Sequence, residues 1–250
     1  MMAKASADME ILFEDDAVIG IAKPAGLPTA NAARGAASLF TRLRERLPGD
    51  AFVGIVSRLD APVSGAVVVA KTPAAAAGLA KQFRDRTVRK TYTAVVEGRF
   101  PAPLGVWADW HDVISRRGQE RISTIVRAGI APGTSEANGS PEADDEEGGD
   151  GRPRPAHTRA RVVCRAGEVS LVELEPSTGR RHQLRVQLSS RGCPIVGDRL
   201  YRARLPFPEG IALHARSLDF THPTTGRAIR LEAAVPASWR ERFPALLRGR

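Results

Sequence analysis

Two short stretches hold the residue types that could do chemistry. In SRLDAPVSGAVVVAKT, residues 57–72, Asp60 follows Arg58 and Leu59 and precedes a turn-prone Ala-Pro-Val-Ser-Gly. An apolar run then ends at Lys71. A free aspartate titrates near ~3.9, so at neutral pH its carboxylate is an ionised nucleophile or base. Loops at strand ends, held by a rigid scaffold, commonly carry such groups. The same pattern also suits a turn aspartate that caps the next loop. In TGRRHQLRVQLSSRG, residues 178–192, helical spacing places Arg181, Arg185 and Ser189 on one face, with His182 beside Arg185. Leu184 and Leu188 would face a core. Arg180, Arg181, His182 and Arg185 crowd together and repel one another without an anionic partner, so a phosphate or carboxylate is expected there. Tyr92, in RKTYTAVV, lies among Arg89, Lys90 and Lys71. That setting suits stacking on a nucleobase, and equally a strand tyrosine packed on a core. Lys23 opens a Lys-Pro-Ala-Gly turn, where it either touches RNA or is simply exposed.

Other chemistries have no footing. The histidines at 111, 157, 182, 214 and 222 lack metal-ligand spacing, and no metal is expected. There is no GxGxxG or Walker loop, so no nucleotide cofactor is expected. The two cysteines, Cys164 and Cys193, form no CxxC pair. The N-terminus lacks the apolar core of a signal peptide. The apolar run at Ala66 to Ala70 is far too short to cross a membrane. A cytoplasmic monomer without membrane contact is the expectation. The formal net charge is +9, although residues 133–151 hold seven acids and no Lys or Arg. Removing those seven negative charges from the balance leaves +16. So basic a remainder suits a polyanion, nucleic acid before an acidic membrane.

The elements that must position these residues alternate between strand and helix signals. ILFEDDAVIGIAKPAG predicts two strands around an acidic turn. SLFTRLRERL predicts a helix capped by Ser38, and AAAAGLAKQFRDR a second. AFVGIV, GAVVVAK and KTYTAVVEGRF predict strands. HTRARVVCRAGEVSLVELEP predicts a hairpin turning at Ala166-Gly167-Glu168, and the stretch 212–236 a second hairpin around His222 to Gly226. TGRRHQLRVQLSSRG predicts a helix starting near Thr178 and stopping at Gly192, and a terminal helix follows Ser238. Strands outnumber helices and many join by hairpins, which predicts an α+β fold with a mainly antiparallel or mixed sheet. Residues 10–250 read as a single catalytic domain, interrupted at about 128–155 by an aperiodic, acidic, mobile insertion.

Taken in order, these motifs resemble RNA pseudouridine synthases of the RluA type. Arg58, Leu59, Asp60, Ser64, Gly65, Ala70 and Lys71 match the family's aspartate motif. KPAG at 23–26, KTY at 90–92, TGRRHQLRVQLSSRGCPIVGDRLY at 178–201 and LHARSLDFTHPTTG at 213–226 match four others. The likeness spans about residues 10–237, without the acidic insertion, and no S4-type domain is expected ahead of it. Four positions depart from the family pattern: Ser57 stands for the usual His, Val63 for Thr, Arg181 for Thr and Gln187 for His. The resemblance implies a pseudouridine-synthase-like catalytic domain that isomerises uridine in rRNA or tRNA without a cofactor. It implies Asp60 as nucleophile and Arg185 as the partner that keeps Asp60 ionised. Tyr92 would pack on the target base and help move the proton lost from carbon 5. Arg58 would hold the RNA backbone or the flipped-out nucleotide's place, with Lys23, Lys71, Arg180, Arg181 and His182 as further RNA contacts. The alternative is an inactive RNA-binding or ribosome-assembly protein on the same fold. Seven acids among few apolar residues cannot bury enough surface to order themselves. Deleting residues 133–151 is therefore expected to leave the melting temperature within a few degrees of the full chain, measured by circular dichroism.

Overall fold

The computed structural model describes residues 9–30, 32, 35–100, 102–116, 122–126 and 152–248. The first half is built around one buried strand. β1 (Glu10–Glu14) and β2 (Val18–Lys23) form a hairpin, and β2 pairs along the length of β4 (Ser64–Ala70). β4 is buried at every position, as its unbroken apolar run requires. Its side chains alternate between two cores. Val67 and Val69 join Ile19, Ile21 and the Leu39 and Leu43 face of α1 (Leu39–Arg46). Ala66, Val68 and Ala70 join Ala75 and Leu79 of α2 (Pro73–Arg84). Ser38 caps α1 and exchanges hydrogen bonds with Thr41 in a capping box, while Thr72 and Pro73 start α2. β3 is only Gly54–Ile55, shorter than the apolar AFVGIV run predicts.

β5 (Arg89–Glu97), β6 (Ala108–Arg116), β7 (Ser123–Ile125), β8 (Arg154–Ala166) and β9 (Val169–Pro176) extend the sheet. α3 (Gln183–Ser190) follows, then β10 (Leu213–Thr221), β11 (Ala228–Glu232), α4 (Ala237–Arg242) and α5 (Pro244–Leu247). Among the described residues the strands form one sheet in the order β1-β2-β4-β10-β5-β9-β8-β6-β7, with β11 beside β10 and β3 beside β4. All pairings are antiparallel except β4 with β10. The α+β, mixed-sheet expectation holds.

Three differences have physical causes. β6 was not expected from sequence because its apolar-polar pattern is broken: burial alternates along the strand, with Trp110 and Ile114 inside, but polar Asp112 also faces inward and apolar Val113 outward. The insertion expected at 128–155 ends early, because Arg154 and Pro155 already pair with Ile114 and Val113; residues 127–151 lie outside the described residues. The third helix starts at Gln183 rather than near Thr178, because His182 adopts left-handed backbone angles, φ 54° and ψ 20°.

The parallel joint is a two-residue contact, His214 opposite Ser64 and Ala215 opposite Gly65. The Ser64 hydroxyl lies 2.8 Å from His214 Nδ1, and His214 Nε2 lies 3.1 Å from the Ala233 carbonyl. Gly65 has φ 122°, and a Cβ there would stand 2.2 Å from the Ala215 carbonyl oxygen. That oxygen is backbone and cannot swing away. Gly65→Ala is expected to cost about 2–3 kcal/mol, or about 5–10 °C in melting temperature, read by thermal unfolding.

Candidate active site

Asp60 lies in the loop between β3 and β4, and its backbone neighbours are clamped from three directions. Thr29 exchanges hydrogen bonds with both backbone groups of Leu59, at 2.8 and 3.1 Å. The Gly26 amide donates to the Ala61 carbonyl at 2.7 Å, and the Ile211 amide to the Pro62 carbonyl at 3.2 Å. The Val63 amide closes a turn onto the Asp60 carbonyl at 3.0 Å. A loop so bound holds the carboxylate in place while leaving its side chain 30% exposed.

Lys23 belongs to this clamp rather than to an RNA-facing surface. It is 1% exposed, and its ammonium donates to the carbonyls of Leu27 (2.7 Å), Pro24 (3.0 Å) and Ala61 (3.4 Å). Burial pushes its pKa down to about 7, against the opposing charge of Asp60. The KPAG turn folds back under the Asp60 loop, which encloses the lysine that sequence alone leaves exposed.

Arg185 projects from α3 into the same space. Its Nη1 donates to Asp60 Oδ2 at 2.9 Å, while Nε and Nη2 form a fork on Asp198, at 2.7 and 2.9 Å. Burial disfavours the guanidinium charge, yet Asp198 and then Asp60 outweigh it and raise the pKa above its usual value. The Tyr201 ring lies under the guanidinium, 5.1 Å from Cζ to centroid. The helix is held in rotation by a chain of buried amides. Gln183 Oε1 accepts from Thr178 and the Arg180 amide, and its amide nitrogen donates to the His157 carbonyl and Thr158. Thr158 donates to Gln187, which donates to Asp112, itself paired with Arg191. Gln187, a departure from the family pattern, is a fully buried link in this chain.

Tyr92 reaches the site from β5. It pairs with Ala215 of β10 on one side and Leu174 of β9 on the other, and Ala215 in turn faces Gly65 of β4. Burial, and then the Asp60 charge, raise the Tyr92 pKa well above that of a free phenol. Near neutral pH Tyr92 is therefore held as a protonated hydroxyl, close enough to Asp60 to feel its charge.

The other residues expected to meet RNA divide. Arg58 is exposed on the Asp60 loop itself. Arg180 and Arg181 are partly buried in the turn before α3, so Arg181 does not share a helical face with Arg185. Arg180 donates to the Pro155 carbonyl at 3.2 Å. Lys71 is at the far end of β4, about 20 Å of strand from Ser64, where it binds Glu14 at 3.0 Å and the Asp15 carbonyl at 2.6 Å. It is outside the site, because an extended strand carries the two ends of one motif apart. His182 faces inward: its side chain is 9% exposed, with Nδ1 2.9 Å from the Tyr201 hydroxyl and Nε2 3.7 Å from Asp60 Oδ2.

Asp198 and Tyr201 were not singled out by residue chemistry. Their one signal was the Gly-Asp-x-x-Tyr at 197–201, whose partners are visible only in three dimensions. Among the described residues no group of three or more His, Cys, Asp or Glu side chains is placed to hold a metal ion. The arrangement presents one partly exposed carboxylate, aimed by a buried arginine near a protonated phenol. It can deliver a nucleophile to an electrophilic carbon and supply a hydrogen-bond donor next to it.

The profile of the RNA pseudouridylate synthase family matches residues 17–190. Ribosomal large subunit pseudouridine synthase D of Xanthomonas campestris pv. campestris is 36% identical over 258 aligned positions, covering 95% of this chain and 69% of that protein. Ribosomal large subunit pseudouridine synthase C of Escherichia coli K12 is 32% identical over 235 positions, covering 90% of this chain and 66% of that protein. Human RNA pseudouridylate synthase domain containing 1 superposes with a TM-score of 0.69 at 27% identity, covering 94% of this chain and 87% of that one. By the family match over residues 17–190 and by these relatives, this chain belongs to the RNA pseudouridylate synthase family and is an RNA pseudouridine synthase, an isomerase.

Proposed function

We propose that the chain isomerises uridine in ribosomal RNA, with Asp60 as the nucleophile. The observation that carries the role of Asp60 is its hydrogen bond from Arg185, a guanidinium already locked by Asp198. An anchored donor of this kind keeps the carboxylate aimed. The ribosomal substrate is supported by the large-subunit enzymes C and D among the relatives. The reaction breaks the bond from C1′ to N1, turns the uracil, and joins C1′ to C5. The proton lost from C5 is balanced by one gained at N1, so nothing is oxidised and no group donor is consumed. Attack at C6 of the base and attack at C1′ of the ribose both begin from an ionised Asp60. The protonated Tyr92 hydroxyl packs on the base and donates a hydrogen bond, rather than removing a proton as a phenolate. A uridine in a stem must leave the stack to reach the carboxylate, and the exposed Arg58 on the same loop is the group to hold the vacated place.

Asp60→Asn keeps the side chain's shape and removes the nucleophile. It is expected to abolish tritium release from 5-tritiated uridine in large-subunit rRNA while RNA affinity stays near wild type. Full activity in that variant would remove Asp60 from the mechanism.

Two arginines that look alike in sequence are expected to fail differently. Arg185→Lys keeps a charge but cannot serve the Asp198 fork and Asp60 together. Its single-turnover rate at saturating RNA should fall by about 10²-fold. Arg181→Ala should leave the saturated rate intact, weaken binding and lower the slope of log affinity against log salt by about one. The reverse pattern would mean that Arg181 faces the reacting base and Arg185 the phosphates.

A further inference from the structure

We propose that His182 is a positioning residue for the isomerisation, presenting an Nε2–H to Asp60 through a relay set by Tyr201 and the Ser123 backbone. The proposal rests on Asp60 being the nucleophile. The family resemblance implies an RNA contact at His182, but the side chain is only 9% exposed and lies between the Tyr201 hydroxyl and Asp60.

Hydrogen-bond directions assign the tautomer. The Ser123 amide donates to the Tyr201 oxygen at 2.9 Å. The Tyr201 hydroxyl proton then has two acceptors, His182 Nδ1 at 2.9 Å and the Ser123 carbonyl at 3.4 Å. The shorter contact favours donation to Nδ1, and a neutral imidazole that accepts there carries its own proton on Nε2. Burial keeps the ring neutral, lowering the pKa to about 4; Asp60 opposes this, Arg185 and Arg181 reinforce it, and Asp198 weakly opposes it. Nε2 is the nitrogen that faces Asp60 Oδ2.

At 3.7 Å the approach to Asp60 is not yet a hydrogen bond. A movement of about 0.8 Å would make it one, and such contacts commonly tighten when substrate binds. Oδ2 also holds the Arg185 contact, whereas Oδ1 accepts no hydrogen bond among the described residues. Two donors on one oxygen leave the other oxygen free to attack. If the arginine contact loosens as the carboxylate turns toward the base, His182 retains the oxygen that is not reacting.

The backbone supports the same role. A left-handed conformation costs a non-glycine residue about 1–2 kcal/mol and persists only where surrounding contacts impose it. Here the residue is held on both sides. The Val186 amide bonds the His182 carbonyl at 3.0 Å, and Ser123 Oγ bonds the Arg181 carbonyl at 2.9 Å. The Tyr201 ring meets the imidazole edge-on, with centroids 5.7 Å apart.

The test compares His182→Ala with His182→Gln in the full chain, under single-turnover conditions on rRNA that the wild type modifies. Both variants carry the same left-handed strain, so their difference reports the side-chain donor. Gln extends an amide N–H to about the position of Nε2. His182→Ala is expected to lower the saturated rate by about 10²-fold with the dissociation constant within about twofold, and His182→Gln to recover most of the loss. Tyr201→Phe, which removes the donor to Nδ1, should also lower the saturated rate, and its effect should be less than additive with that of His182→Ala. Should His182→Ala not fold, the Gln and Phe variants still decide. The proposal is overturned by weaker RNA binding at an unchanged saturated rate, by a Gln variant no better than Ala at equal melting temperature, or by a wild-type rate in Tyr201→Phe. If Asp60→Asn stays active, the underlying reading fails as well; if Asp60→Asn is dead and His182→Ala turns over normally, only the role of His182 falls.

Discussion

The site depends on one buried guanidinium shared between two carboxylates. Arg185 and Asp198 are both nearly excluded from solvent, and two such charges are tolerated in a core only when paired and hydrogen-bonded. The fork on Asp198 uses Nε and Nη2 and fixes the guanidinium plane. Nη1 is the donor left for Asp60. The Asp60 loop is thereby registered against the core rather than against solvent. Asp198 keeps the arginine in place whether or not Asp60 is engaged, so Asp60 can turn toward a substrate without leaving a buried cation alone.

Around this pair the fold applies constraint in layers. α3 cannot rotate, because Gln183 and Gln187 lie four residues apart on one face and belong to a chain of buried polar groups ending at Asp112 and Arg191. A network satisfied along its length is rigid, since any turn of the helix would strand several donors and acceptors at once. The opposing loop is tied at Leu59, Ala61 and Pro62, and Lys23 is buried beneath it. The two halves meet where β4 touches β10, and there the backbones come too close for any side chain at position 65. The row Gly65–Ala215–Tyr92–Leu174 crosses that joint and carries the tyrosine to the aspartate.

The same geometry separates roles that the basic composition merges. Of the cations expected to meet RNA, Arg58 is exposed beside Asp60, Lys23 is interior, and Lys71 is held by Glu14 at the far end of β4. Net charge describes the attraction of the whole surface for a polyanion. It does not say which cations that surface contains.

Much of the architecture was legible in the chain. The capped helices α1 and α2, the hairpins at Ala166–Glu168 and His222–Gly226, and the mixed sheet follow from local signals, because caps, turns and alternation act over a few residues. Asp60, Tyr92 and Arg185 stood out through ordered motifs, and the motif order also carried the family. Apart from the Asp60–Arg185 pair, which the resemblance implied, contacts between distant segments were not legible. Nothing near Asp198 marks it as the anchor of an arginine 13 residues earlier, and nothing near Lys23 marks it as buried under a loop that begins more than 30 positions later. The turn at His182 was missed because helical spacing continues backward through it; a single left-handed residue, held by Ser123 and Tyr201 from distant segments, ends the helix there. Sequence by itself determined which chemical groups were present and the local elements that carry them. Tertiary structure decided which groups face one another, because hydrogen-bond partners and burial depend on neighbours that local pattern does not encode.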